Sequence, residues 1–123
     1  MTAFIPRGNL ALRVVPMPAD VNGSGDVFGG WLLDRVDTAA AIAAAQRAKG
    51  RVATVAVNSV QFKLPVAMGD VLSLYTNILS TGRTSITVSV EVYAERNATQ
   101  VKVTEATVTL VAIDSEGCKR PLP

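Results

Sequence analysis

From Gly50 to the end, the chain offers strands and turns but no second helix, and this restricts the possible folds more than any single residue does. Arg51 to Phe62 carries Val52, Val55, Val57 and Val60, and Pro65 with Gly69-Asp70 marks the turn that follows. Val71 to Leu79 alternates, with Leu72, Leu74, Thr76 and Ile78 on one side. Thr81-Gly82-Arg83 then turns into the cleanest strand, with Ile86, Val88, Val90, Val92 and Ala94 inward and Thr87, Ser89, Glu91, Tyr93 and Glu95 outward. After Arg96-Asn97-Ala98, the run from Val101 to Ile113 alternates apolar residues with Lys102, Thr104, Thr107 and Thr109. Turns this short join antiparallel strands, because a parallel pair needs a crossover of a dozen residues or more. With a strand at Leu10 to Val15, stopped by Pro16 and Pro18, the prediction is an α+β fold. Five antiparallel strands curl around one helix in a single domain spanning residues 1–123.

The helix is predicted from about Gly29 to Lys49, closed by Gly50 in the usual place for a C-terminal glycine. Its middle, Ala39 to Ala45, is small on nearly every side, which suits a helix partly wrapped by sheet. Leu32, Leu33, Val36, Ala39, Ala40, Ala43 and Ala44 form one broad face, with Asp34, Thr38 and Lys49 opposite. Trp31 and Ile42 are apolar at outer positions, and together with open sheet edges they predict pairing between subunits.

The stretch before the helix, Asn22-Gly23-Ser24-Gly25-Asp26-Val27-Phe28-Gly29-Gly30, is built of turn formers. A helix starting near Gly29 leaves its first N–H groups without intrahelical partners, at the positive end of the helix dipole. Such an end suits an oxygen that carries or develops negative charge. Asn22 and Asp26 either cap this helix start or contribute to a site. Asp37 projects at the rim of the buried arc, where a carboxylate is either a boundary residue bonded to a neighbouring strand or a functional group.

Composition removes other chemistries. The chain has no histidine and one cysteine, so Ser-His-Asp and Cys-His machinery, histidine bases and thiolate or histidine metal clusters are unavailable. No metal or other cofactor is expected. The net charge of +2 is too mild, and the basic residues too scattered, to suggest nucleic acid. Uncharged stretches are too short to span a bilayer, and no signal sequence is evident. The expectation is therefore a soluble cytoplasmic protein, and lone Cys118 agrees with a reducing compartment.

These residues resemble the hotdog-fold acyl-CoA thioesterases, specifically their bacterial YciA-like branch. The matching parts are Met17-Pro18, Asp20, Asn22, Gly25-Asp26-Val27-Phe28-Gly29-Gly30-Trp31, Asp37, Arg51-Val52, Thr54 to Val57, Phe62, Pro65-Val66, Gly69-Asp70, Gly82-Arg83 and Ser85. Asn58-Ser59 departs from the family's pattern. The resemblance implies a helix held in a sheet, dimers with two sites at the subunit interface, and frequent assembly into hexamers as trimers of dimers. It implies Asp37 as catalytic carboxylate and Gly30, with Gly29 beside it, as N–H donor to the thioester oxygen. Asn22 and Asp26 are secondary catalytic candidates. Thr54, Arg51, Arg83 and Ser85 are candidates for substrate binding, and Lys102, Lys119 and Arg120 are further cations that could meet coenzyme A phosphates. Coenzyme A is then part of the substrate. A non-catalytic acyl-CoA or acyl-carrier binding module on the same fold is the alternative function.

Overall fold

The computed structural model describes residues 8–123. Strand β1 (Asn9–Val14) leads through a 3₁₀ turn at Pro18–Asp20 to helix α1 (Gly29–Ala48). The strands β2 (Val52–Phe62), β3 (Val71–Thr81), β4 (Ser85–Arg96) and β5 (Thr99–Ala112) follow. They form one sheet in the order β1-β3-β4-β5-β2, with every neighbouring pair antiparallel. Helix α1 touches all five strands, so the sheet curves around it as its small middle predicts. Ala39, Ala40, Ala44 and Ala48 have no exposed surface, and they meet Leu72, Leu74, Ile86, Val88, Val90, Val92, Val108 and Leu110 from the strands. A side chain larger than alanine on that face would hold helix and sheet apart.

The structure departs from the sequence expectations at four places. The left-handed residue that ends the helix is Lys49 (φ 54°), not Gly50. Gly50 answers a different need: a Cβ there would lie 2.7 Å from Arg120 Nη2, which donates to the Ala48 carbonyl at 2.7 Å and closes the helix end. On α1, Leu33 is exposed, whereas Trp31 is half-buried against the core under the Arg35 guanidinium, 4.9 Å from its ring centre. Along β5 a register shift at Val103 turns Thr104 inward, opposite Val92 and Phe62, although simple alternation points it out. Thr104 is fully buried, and its hydroxyl has no hydrogen-bond partner among the described residues.

Finally, β2 breaks register twice, between Thr54 and Ala56 and between Val57 and Ser59. Thr54, Val57 and Val60 therefore pair with the inward residues Leu110, Val108 and Ala106, at a spacing of three instead of two. This bulged strand is a free edge of the sheet. The large apolar side chains left exposed around it and the helix start are Phe28, Leu33, Val55, Val57, Phe62 and Leu64. No helix is long and apolar enough to cross a membrane among the described residues.

Candidate active site

The helix start is set by the loop before it. Asn22 Oδ1 accepts from the N–H groups of Ser24 (2.9 Å) and Asp26 (3.2 Å), and the Asn22 N–H donates to the Asp26 carbonyl at 2.7 Å. Gly25 takes φ +83° to close this turn, a conformation that side chains resist. The Val27 N–H then donates to Val66 (2.7 Å) and the Phe28 N–H to Asp20 (3.1 Å), so the segment is pinned on both sides before the helix begins. Asn22 thus holds the loop together and does not cap the helix. The N-cap position is Phe28, and no side chain caps α1.

Gly29 and Gly30 are consequently exposed at a bare helix end. A Cβ at Gly30 would meet nothing within 4 Å, so nothing in the chain itself requires glycine there. Two such residues without side chains let something from outside reach the N–H groups.

Asp37 lies seven residues beyond Gly30, half-buried, and Thr54 Oγ1 donates to its Oδ1 at 2.5 Å. The first β2 bulge lies directly after Thr54. Both readings of Asp37 meet here, because it is bonded to a neighbouring strand and yet keeps a second oxygen on a partly exposed surface. At about 1.5 Å per residue, Gly30 and Asp37 are about 10.5 Å apart along the helix.

The remaining candidates lie at the other end of the helix or serve the framework. Arg51 Nη1 donates to the carbonyls of Asp114 (3.3 Å) and Ser115 (3.2 Å). The Ser85 carbonyl accepts from the Gly82 N–H at 2.9 Å, and the Arg83 carbonyl accepts from Leu122. Arg120 reaches Ala48 and Ile113, and Lys102 pairs with Glu91 and Glu105 on the outer face of the sheet. Within one chain, therefore, Arg51, Arg83 and Ser85 are not brought to Gly29 and Gly30. The sequence reasoning missed the apolar wall beside the helix start. Val27, Gly29, Leu32, Phe62, Lys63, Leu64, Pro65 and Val66 line a cavity of about 320 Å³ there. The cluster Phe62-Lys63-Leu64-Pro65-Val66, directly after β2, was its signal.

Comparison with known proteins identifies the family and the fold. Residues 24–101 match the thioesterase superfamily. The chain is 45% identical over 123 residues to the acyl-CoA thioester hydrolase YciA of Salmonella typhimurium, covering 96% of this chain and 92% of that one. It superposes on the hexameric thioesterase of Yersinia pestis with a TM-score of 0.93 and 45% identity, over 97% of this chain and 98% of that one. A hexameric broad specificity acyl-coenzyme A thioesterase gives a TM-score of 0.90 at 42% identity, over 98% of this chain and 84% of that one.

Proposed function

The chain belongs to the thioesterase superfamily, and on that premise we propose that it hydrolyses acyl-CoA to a free acid and coenzyme A at sites that two copies of the chain build together. The observation that carries this reading is the distance along α1. One thioester group cannot be within about 3 Å of both the Gly30 N–H and the Asp37 carboxylate when these lie about 10.5 Å apart on one rigid helix. Donors from one copy must therefore meet Asp37 from another. Leu33, four residues before Asp37 on the helix, and Val55 and Val57, which follow Thr54 on β2, are exposed apolar residues, and a second copy covering them would bury that surface.

A two-fold pairing of free β2 edges is antiparallel. It would set the Val52 end of one copy, with Arg51 beside it, against the Phe62 end and helix start of the other. Arg51, Arg83 and Ser85 would then approach the glycines of the other copy, and the cations there suit coenzyme A phosphates. We assign the protein a homodimer, with three dimers to a hexamer, following the hexameric assembly of its relatives. A cytoplasmic location accords with a coenzyme A substrate.

In the reaction, water adds to the thioester carbon, or the Asp37 carboxylate attacks it directly and water then releases the acid. Thr54 engages one oxygen of Asp37 and leaves the other to take the proton from water or to attack. Negative charge developing on the carbonyl oxygen falls on the N–H groups of Gly29 and Gly30. The C–S bond then breaks, and coenzyme A leaves as a thiolate whose parent thiol, by analogy with cysteine, has a pKa near 8.5. That leaving group needs no histidine acid. No further cofactor enters the scheme.

Thiol release from acyl-CoA, compared between the parent and two variants, tests the assignment. Asp37→Asn is nearly isosteric and should keep the fold by circular dichroism while lowering turnover by about a hundredfold or more. Asp26→Asn should stay within about threefold of the parent, since its loop is held by backbone bonds and the Asn22 side chain. A folded Asp37→Asn protein with near-parent turnover rules out the carboxylate mechanism.

A further inference from the structure

Resting on the thioesterase reading, we propose that the ion pair between Asp70 and Arg96 positions the helix start for the reaction, fixing where its N–H groups point without touching substrate. The pair lies at the turn between β2 and β3. Three donors converge on Asp70 Oδ2: the Ala67 N–H at 2.9 Å, and Arg96 Nε and Nη2 at 3.1 and 2.7 Å. Arg96 Nη2 also donates to the Pro65 carbonyl. Arg96 is the last residue of β4, the middle strand of the sheet, so the turn is tied to the centre of the fold. The Asp70 side chain is only 12% exposed, and water and salt screen such a pair less than they screen a surface pair.

The same turn carries the loop that precedes the helix. Ala67 pairs with Asp26 as an isolated antiparallel bridge, and the Val66 carbonyl accepts from the Val27 N–H at 2.7 Å, two residues before Gly29. A continuous chain of bonds thus runs from β4 through Arg96, Asp70 and Ala67 to the end of the loop. Because no side chain caps α1, the place of its first turn depends on backbone links of this kind. Donors to a developing oxyanion work only from a fixed place, and a misplacement of about 1 Å costs about a hundredfold in rate. The two-copy site makes this demand stricter. Gly30 of one copy serves a thioester attacked with the help of Asp37 from another, so a drift of one helix start is not followed by the carboxylate that must match it.

The experiment uses the full-length chain and the variants Asp70→Asn, Arg96→Met and Arg96→Lys, each checked for fold by circular dichroism. Thiol release from butyryl-CoA gives kcat and KM, and amide hydrogen exchange followed by NMR gives the opening rate at Val27. Asp70→Asn and Arg96→Met should lower kcat by about tenfold with KM within about threefold of the parent, the pattern of an interaction felt only in the transition state. Arg96→Lys keeps the charge with fewer donors and should fall by about threefold. In Asp70→Asn and Arg96→Met the Val27 amide should exchange about tenfold faster or more, while amides in the middle of β4 keep the parent's rate. If those β4 amides speed up as much as Val27, the pair is a general stabiliser and the assignment is overturned. Parent-like kcat, a parent-like Val27 rate, or a KM that rises as far as kcat falls overturns it too, with the thioesterase reading intact. Should the first two variants not fold, Arg96→Lys decides by the same readouts. A parent that releases no thiol overturns the function itself, and this assignment with it.

Discussion

The hydrogen bond from Thr54 to Asp37 joins one residue that the helical wheel singles out to another that reads, by propensity alone, as a good strand former. Its energetic weight comes from charge, since a bond to an ionised partner is worth about twice a neutral one. Thr54→Val keeps the shape and removes the donor. It should lower turnover by about tenfold with the fold intact. Unchanged turnover in the folded variant would reduce Thr54 to a packing residue. The candidate residues on helix and loop stood out in the sequence because glycines and a carboxylate at an apolar rim are unusual. What Asn22 and Asp26 do was not legible, because residue type does not distinguish a helix cap from a loop-internal turn. The same limit applies at the hairpin joining β4 to β5, where Asn97 (φ 51°) and Ala98 (φ 63°) both adopt left-handed backbone. Asparagine tolerates this conformation and alanine does not. Ala98→Gly should raise stability by about 0.5–1 kcal/mol, read as a shifted denaturant midpoint at constant slope.

At the scale of elements, the order of one helix and five strands was readable because each run is long and its turns are rich in glycine, proline or asparagine. The two bulges of β2 and the shift at Val103 were not. A bulge adds one residue without altering the local pattern, and only the partner strand reveals it. For that reason Thr104 looked like an outward residue and proved to be buried. The outer face of β4 and β5 carries a network the alternation does announce. Lys102 Nζ lies 2.9 Å from both Glu91 and Glu105, Lys63 lies 3.3 Å from Glu105, and the Tyr93 hydroxyl donates to Glu91 at 2.8 Å. The bond from Lys102 is the main cause holding the Glu105 carboxyl below its ordinary range, and the bonds to Glu105 and then Glu91 hold the Lys102 ammonium above its own. A depressed carboxylate contributes stability that is present at neutral pH and lost as pH falls through its folded value. A raised lysine keeps its contribution until pH climbs past the ordinary lysine range. Lys102→Met should therefore melt below the parent at pH 7 by less than about 1 kcal/mol, since these groups are partly exposed, and the gap should narrow in acid. An equal gap at pH 7 and pH 3 would assign the loss to packing.

For the whole molecule, subunit pairing was foreseeable from open edges, but the surface responsible was not. Trp31 is drawn against the core by a fold the wheel cannot see, and Leu33, Val55 and Val57 take its place as exposed apolar surface. The separation of Gly30 from Asp37 along one rigid helix also has a genetic consequence. Two inactive alleles that strike opposite halves of the site can restore each other when they share a cell. Asp37→Asn chains keep their N–H donors. Gly30→Pro chains keep their carboxylate and lose a donor in the first helical turn, where proline is accommodated, at a position with open space around a Cβ. With random pairing, half of the dimers are mixed and each mixed dimer holds one intact site, so co-expression should recover roughly a quarter of the parent's turnover per chain. A mixture no more active than the sum of the two separate variants would mean that each chain catalyses alone.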